Sequence, residues 1–545
     1  MGESLLPVGT SYAEVYARFR WHIPTAFNIG VDVCDRHAND SSRLAMIYED
    51  DTGHVSTHTF AEFRARSNQL AHALIRLGIR RGDRVGIILS QRPETAVVHL
   101  AAYKLGAIAL PLSTLFGPEA LDYRLRDAGA KVVVTDTESL DRVLGVRDRL
   151  PELRHVLCVD RADAEGILDY QRLLTDAPDS FTPVITAADD PALLIYTSGT
   201  TGPPKGALHA HRVLLGHLPA IEFYHEYFPK PDDRFWTPAD WAWIGGLFDV
   251  LLPAWHHGVP VVAYRARKFD PGEALNLMSR QGVRNVFMPP TALKLLRASG
   301  VREAGVRLRT LASGGESLGE DLIEWGRGTF GLTINEFYGQ TECNLVVGNG
   351  SALPPVRPGW MGTAIPGHTV AIVDEAGREL PRGQLGSIAY RRPDPVLFLR
   401  YWRNDAATAA KFRGDWLISG DLGTCDEAGY FRFVGRDDDL ITSGGYRIGP
   451  GEIEACLQRH PAVALAAVVG QPDPIRTEVV KAVVVLKAGH APSAALAAEL
   501  QEHVRSRLAA HEYPRIVEFA AELPLTATGK IVRRALRAPR PGSCP

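Results

Sequence analysis

Apolar and polar positions along this chain follow two periods. Residues 84–89 (RVGIIL) form a short apolar run of the kind buried on both faces of a strand, and 94–105 after it spaces its apolar residues as a helix does. A second strand is predicted over 107–112, a helix over 118–128 and a third strand over 131–135 (KVVVT). The same beat returns at 259–264, 283–288 and 308–311, each beside a helical segment. Strand–helix alternation on this scale predicts an α/β architecture of layered subdomains with largely parallel sheets. The tail APRPGSCP reads as loose chain.

The carboxyl end is patterned differently. GRDDDLITSGGYRIGP, residues 435–450, concentrates charges and glycines between two apolar regions. A helix over 451–458, a strand pair over 463–469 and 479–486, and a helix over 494–509 follow it. The predicted organisation is a large N-terminal domain, 1–437, and a small mobile α+β C-terminal domain, 438–545, with a hinge among the aspartates.

Composition narrows the class. A chain of 545 residues exceeds what one hydrophobic core organises. Apolar residues at 45% and charged residues at 23% exclude disordered, collagen-like and coiled-coil chains. Lys plus Arg number 60 against 63 acidic residues, a net charge of −3, so no basic excess favours nucleic acid. The cysteines (Cys34, Cys158, Cys343, Cys425, Cys456 and Cys544) form no CxxC pair, the pattern of reduced thiols in a cytoplasmic protein. The amino terminus lacks a secretory pattern, and the most apolar stretch, 96–112, is interrupted by His99 and Lys104, so no membrane span is expected.

The chemistry concentrates in YTSGTTGPPKG, residues 196–206, which follows an apolar strand at 192–195. Glycines let backbone amides turn towards an anion, hydroxyls add donors, and Lys205 adds a point charge. These residues suit a triphosphate cradle. The loop is not a Walker A motif, because Pro204 stands where the second glycine of GxxxxGK belongs.

That string resembles the phosphate loop of the AMP-forming adenylate-forming superfamily. FYGQTE (337–342), SGD (419–421), Gly435 with Arg436, SGGYRI (443–448) and PLTATGK (524–530) match further motifs of that family in order. FNIGVDVCDRHA near the start and EYPRIVEF near the end are most similar to the medium-chain acyl-CoA synthetase branch.

The resemblance implies a ligase that joins a carboxylic acid to coenzyme A through an acyl-adenylate, with ATP and Mg²⁺. It implies an ATP site of Thr197, Ser198, Gly199, Thr200, Thr201, Gly202 and Lys205 around the β- and γ-phosphates, and Thr341 at the α-phosphate. Glu342 is the implied magnesium ligand, and Asp421 with Arg436 hold the ribose side. Tyr338 offers its face to adenine, among Gly314, Gly315, Glu316, Glu336, Phe337, Gly339 and Gln340. Lys530 is the implied catalytic lysine of adenylation, and Asp438 the hinge about which the small domain turns between half-reactions. Gly444, Gly445 and Tyr446 are implied at the pantetheine tunnel, and Arg476, Arg505, Tyr513 and Arg515 at the nucleotide end of coenzyme A. Lysine acetyltransferase and deacetylase partners acting on Lys530 follow from the same resemblance.

For the acid, the acetate-specific branch carries a tryptophan where this chain has Gly339, so an open pocket floor and a substrate larger than acetate are expected. WTPADWAWIGGLF, 236–248, supplies the predicted wall: Trp241, Trp243 and Phe248 take space, while Gly245 and Gly246 leave it. A short-to-medium, branched or straight fatty acid is the first expectation and a benzoate-like or arylalkanoic acid the second. Phe116 stands where relatives carry a polar residue near coenzyme A, so that contact is not carried over. The rival from another class is a nucleotide-binding pseudoenzyme, against which the intact Thr341, Glu342 and Lys530 argue.

Overall fold

The computed structural model describes residues 4–160, 165–197, 203–266, 268–350, 353, 355–436, 439, 441–443, 446–473, 477–507, 513–526 and 531–537. The chain divides into two compact units: Met1–Thr369 with Arg391–Asp415, and Val370–Tyr390 with Trp416–Pro545. The boundary expected at 437/438 falls inside the second unit.

The first unit contains an eight-stranded sheet. Its order is Arg400–Tyr401, Lys205–Ala210, Pro191–Thr197, Ile108–Pro111, Arg84–Ile88, Ala130–Thr135, His155–Cys158 and Ile167–Asp169. From Pro191–Thr197 outwards to Ile167–Asp169 the strands run parallel, and the other end is closed by antiparallel pairs. Local signals set the helices between them. Pro93–Leu105 and Pro118–Ala128 each begin with proline at the first turn, where a missing N–H costs nothing, and each ends on a glycine. Gly106 and Gly129 take φ of 70° and 63°, the left-handed cap that reverses the chain into the next strand. Ile88, Leu110, Leu121, Leu125, Val133 and Leu194 pack between these layers as one buried cluster.

A second sheet of this unit runs in the order Gly362–Ala364, Cys343–Gly348, Ile334–Gln340, Thr310–Gly314, Asn285–Phe287, Phe235–Trp236, Val261–Tyr264, Leu44–Glu49 and Val55–Thr59. Its central strands are parallel, and their carboxyl ends carry Gly314 and Phe337 side by side. Ligands of parallel α/β sheets gather at that end of the strands.

In the second unit, Val370–Val373 pairs antiparallel with Gly386–Arg391, and Trp416–Cys425 with Tyr430–Arg436. Its other sheet joins Tyr446–Ile448, Ile441–Ser443, Thr477–Leu486 and Val463–Asp473, with Ile516–Phe519 parallel to Thr477–Leu486. The helices Pro450–Gln458 and Ala494–Arg505 cover it through Ile453, Leu457, Leu500 and Val504. The α/β reading of the large region and the α+β reading of the carboxyl end both hold. Among the described residues no helix is long and apolar enough to cross a membrane.

Candidate active site

Thr197 and Lys205, which flank the loop expected to hold phosphate, end a hairpin. Pro191–Thr197 is almost wholly buried and pairs antiparallel with Lys205–Ala210, so Thr197 and Lys205 face each other across its open end. Ser198, Gly199, Thr200, Thr201 and Gly202 lie outside the described residues. The hairpin is braced from below: the Trp402 N–H donates to the Gly206 carbonyl at 2.7 Å, and Tyr401 pairs with Ala207. The Lys205 ammonium stands 5.5 Å from the centroid of the Tyr401 ring, within cation–π range.

Tyr401 also reaches the second motif. Its hydroxyl donates to Oε1 of Glu342, which lies with Thr341 at the turn between Ile334–Gln340 and Cys343–Gly348. The Phe398 N–H donates to the Glu342 carbonyl at 2.9 Å, so backbone and side chain of Glu342 are both held by 398–401. Glu342 is buried. Among the described residues no group of three or more His, Cys, Asp or Glu side chains could hold a metal. A single positioned carboxylate suits Mg²⁺, which keeps several waters and takes its other ligands from substrate phosphates. The donor set therefore fits magnesium delivered with ATP.

Among the residues expected near adenine, Gly314 pairs with Phe337 on adjacent parallel strands. A Cβ on Gly314 would lie 2.4 Å from the Phe337 ring, so the close approach itself requires glycine. Tyr338 and Gln340 follow on the same strand, Gly315 turns the chain, and the Glu316 carboxylate accepts from Thr291 Oγ1 at 3.1 and 3.0 Å. Glu336 is buried and accepts only partly compensating help, from the Leu318 N–H at 3.2 Å. Burial pushes its carboxyl up to about 7.

In the second unit Asp421 faces Arg436 on paired strands, with Arg436 Nη1 3.4 Å from Asp421 Oδ1. Ser419 Oγ accepts from the Asp421 N–H at 2.9 Å, which shapes the Ser-Gly-Asp turn. The structure also brings together three residues expected at coenzyme A: Arg505 and Arg515 lie 5.7 and 5.1 Å from the Tyr513 ring centroid. Tyr446 pairs with Ser443 through its backbone. Gly444, Gly445, Arg476, Asp438 and Lys530 lie outside the described residues. Next to Asp438, Asp439 binds Arg533 at 3.3 Å and Arg537 at 3.4 Å, and Arg533 binds buried Glu454 at 2.8 Å.

The acyl-pocket expectations separate on inspection. Trp241 and Phe248 are fully buried core residues. Trp243 is partly exposed, its ring edge-on to Phe116 at 5.8 Å, and Phe116 carries the Arg124 guanidinium 4.1 Å from its centroid. Gly245 borders the Phe287 ring and Asp249 Oδ2, which a Cβ would meet at 3.2 and 3.4 Å. Gly246 and Gly339 do not leave space in the way expected. A Cβ on Gly246 would meet the Asp240 carbonyl at 2.4 Å, and one on Gly339 the Leu345 nitrogen at 2.3 Å. Backbone fills both directions, so these glycines answer to chain packing rather than to an open floor.

Two residues escaped sequence reasoning. Tyr401 lies in LFLRYWRND, an aromatic run with no spacing signal that links it to Glu342. Asp249, buried behind Gly245, accepts from Asn344 Nδ2 at 2.7 Å, and burial holds its carboxyl well above the usual range. Only the fold brings it beside Gly245.

Comparison with known proteins accords with this arrangement. A family model described as AMP-binding enzyme matches residues 34–402, and one described as AMP-binding enzyme C-terminal domain matches 452–530. The chain belongs to the AMP-binding enzyme family. It is 36% identical over 547 residues to the acetyl-coenzyme A synthetase of Bacillus subtilis (strain 168), covering 97% of this chain and 95% of that protein. It is likewise 36% identical over 530 residues to the mitochondrial acyl-coenzyme A synthetase ACSM2B of Homo sapiens, covering 94% and 91%. Its fold matches the crystal structure of the anthranilate CoA ligase AuaEII in complex with anthranoyl-AMP at a TM-score of 0.86, with 30% identity and coverage of 94% and 97%. The resemblance read from the ordered motifs thus extends along the whole chain.

Proposed function

We propose that this enzyme is an AMP-forming acyl-CoA synthetase acting on a short-to-medium-chain carboxylic acid. The observation that carries the reading is the junction at Tyr401, which links the lysine of the phosphate loop to the carboxylate of the FYGQTE motif. A cation and a metal-binding carboxylate held in one place serve a triphosphate.

A carboxylate is a poor electrophile, so the acid first attacks the α-phosphorus of ATP and pyrophosphate leaves. Lys205 and the hydroxyls of the loop hold the β- and γ-phosphates, Thr341 donates to the α-phosphate, and Glu342 would hold magnesium, which would neutralise triphosphate charge when bound with ATP. Oriented donors and cations act on the charge that develops in the transition state. Lys530 belongs to this half-reaction, bridging carboxylate and α-phosphate. The coenzyme A thiol then attacks the acyl carbonyl and AMP leaves, with Arg505, Tyr513 and Arg515 as the anion site for the nucleotide end. The carboxyl-terminal region that carries Lys530 turns about Asp438 between the steps and sheds water from the adenylate. The acyl end lies against Trp243 and Gly245. Acetylation of Lys530 by an acetyltransferase in the cytosol removes its charge and stops adenylation.

A panel of acids from acetate to octanoate, with isobutyrate, benzoate and phenylacetate, tests the reading. Each is supplied with ATP, Mg²⁺ and coenzyme A while AMP and thioester are measured. Maximal turnover is expected among C3–C8 or branched acids; a maximum at acetate or benzoate reassigns the substrate. Absence of carboxylate-dependent ATP–pyrophosphate exchange with every acid sinks the function. Lys530→Ala is expected to lose that exchange and still convert synthetic acyl-adenylate with coenzyme A.

A further inference from the structure

One tyrosine touches both halves of the triphosphate machinery, and neither contact is explained by its place in a strand. Tyr401 belongs to the two-residue strand Arg400–Tyr401, which pairs with Lys205–Ala210. Its backbone is thereby tied to the strand that Lys205 begins, and the Thr408 hydroxyl accepts from its N–H at 3.0 Å. Its ring lies beneath the Lys205 ammonium at 5.5 Å, while its hydroxyl reaches across to Glu342. Both Tyr401 and Glu342 are buried, at 3% and 8% exposure, so water competes poorly for the hydrogen bond.

We infer that Tyr401 is a positioning residue for the proposed adenylation, its hydroxyl orienting Glu342 towards the metal and its ring face holding Lys205 over the triphosphate. The inference rests on the function proposed above. A hydroxyl bound to Oε1 fixes the plane in which the carboxylate presents its other oxygen. Partners that orient a metal-binding side chain in this manner typically contribute roughly 10–100-fold to metal affinity. The lysine side of the junction acts differently: a long flexible ammonium loses rotamer freedom when it grips phosphate, and the ring face restricts it beforehand. The tyrosine need not touch substrate or take part in a bond change.

The test uses Mn²⁺ as the probe, bound to the full-length enzyme with saturating α,β-methylene-ATP, which cannot release pyrophosphate. Free Mn²⁺ is read by electron paramagnetic resonance after near-ultraviolet circular dichroism has checked folding. Tyr401→Phe keeps the ring over Lys205 and removes only the hydroxyl. Its Mn²⁺ dissociation constant is expected to rise roughly 10–100-fold, the range of an orienting partner. In the Glu342→Gln background, Tyr401→Phe is expected to add little, because the hydroxyl acts through that carboxylate. A Tyr401→Phe enzyme that binds Mn²⁺ as tightly as the parent overturns the inference. So does a double variant in which the two losses multiply, which would make the residues independent. Either result leaves the proposed function standing if the parent enzyme shows carboxylate-dependent ATP–pyrophosphate exchange. That exchange is measured in parallel, so the two failures are distinguished.

Discussion

Asp421 and Arg436 stand directly across from each other on paired antiparallel strands, with guanidinium and carboxylate 3.4 Å apart. The cation holds the carboxylate's orientation, and the proposed function gives that carboxylate the ribose hydroxyls to accept from. Asp421→Asn keeps the shape and removes the charge. A hydrogen bond to a charged acceptor exceeds a neutral one by about 1 kcal/mol, so ATP affinity is expected to fall about five- to tenfold. With 2′,3′-dideoxy-ATP, which lacks the hydroxyls, the variant and the parent are expected to bind alike. Equal losses with both nucleotides would remove the ribose from the assignment.

Glu336 makes stability fall with rising pH. Its folded carboxyl titrates at about 7 against 4.5 for the free group. Below pH 4.5 both folded and unfolded chains hold the proton, and the full stability is present. Between 4.5 and 7 only the folded chain holds it, so stability is lost as pH rises, and above 7 the loss is complete. At about 1.4 kcal/mol for each pH unit, the whole effect is about 3 kcal/mol. Glu336→Gln keeps an acceptor for Leu318 and removes the ionisation. Urea unfolding at pH 5 and pH 8.5 is expected to show the variant gaining on the parent by about 2–3 kcal/mol at the higher pH. A difference that does not change with pH contradicts the burial argument.

Gly339→Ala tests whether this glycine serves packing or the pocket floor. The new Cβ meets the Leu345 nitrogen at 2.3 Å, and backbone cannot rotate away as a side chain does. Overpacking of this kind costs about 1–3 kcal/mol. A lowered melting temperature with an unchanged ranking of acids is expected. A fully stable variant that has moved towards shorter acids restores the open-floor reading.

Arg533 is the pivot of an ion-pair cluster, three residues beyond Lys530 and bound to Asp439 and Glu454. Glu454 is buried and depends on Arg533 to offset a desolvation that raises its carboxyl. Arg533→Met leaves that carboxylate without its cation, at a cost of roughly 3–5 kcal/mol. Adding Glu454→Gln is expected to recover part of the loss in thermal unfolding. No recovery would show that Glu454 is not the group stranded by the substitution.

Much of this protein is written in local pattern. The run at 84–89 is a strand at Arg84–Ile88 because an unbroken apolar stretch of that length is satisfied by burial on both faces. The helix expected over 118–128 is Pro118–Ala128, since its proline and glycine mark the two ends chemically. The expected phosphate loop, the FYGQTE segment and the SGD turn stand out in the sequence for the same reason: each packs its chemistry into a few consecutive residues.

What the sequence could not state is which distant residues meet. Glu342 and Tyr401 are 59 positions apart, and their hydrogen bond exists only because the strand carrying Tyr401 pairs with the one that begins at Lys205. Gly246 and Gly339 look like room for a substrate when only side-chain size is counted, yet each has a backbone atom where a side chain would go. Local propensity acts through neighbours in the chain, whereas close approach and buried pairing are set by sheet register. The sequence determined the elements, their order and the class of chemistry. The tertiary structure decided which carboxylate is oriented, by what, and which glycines are empty because the chain itself is there.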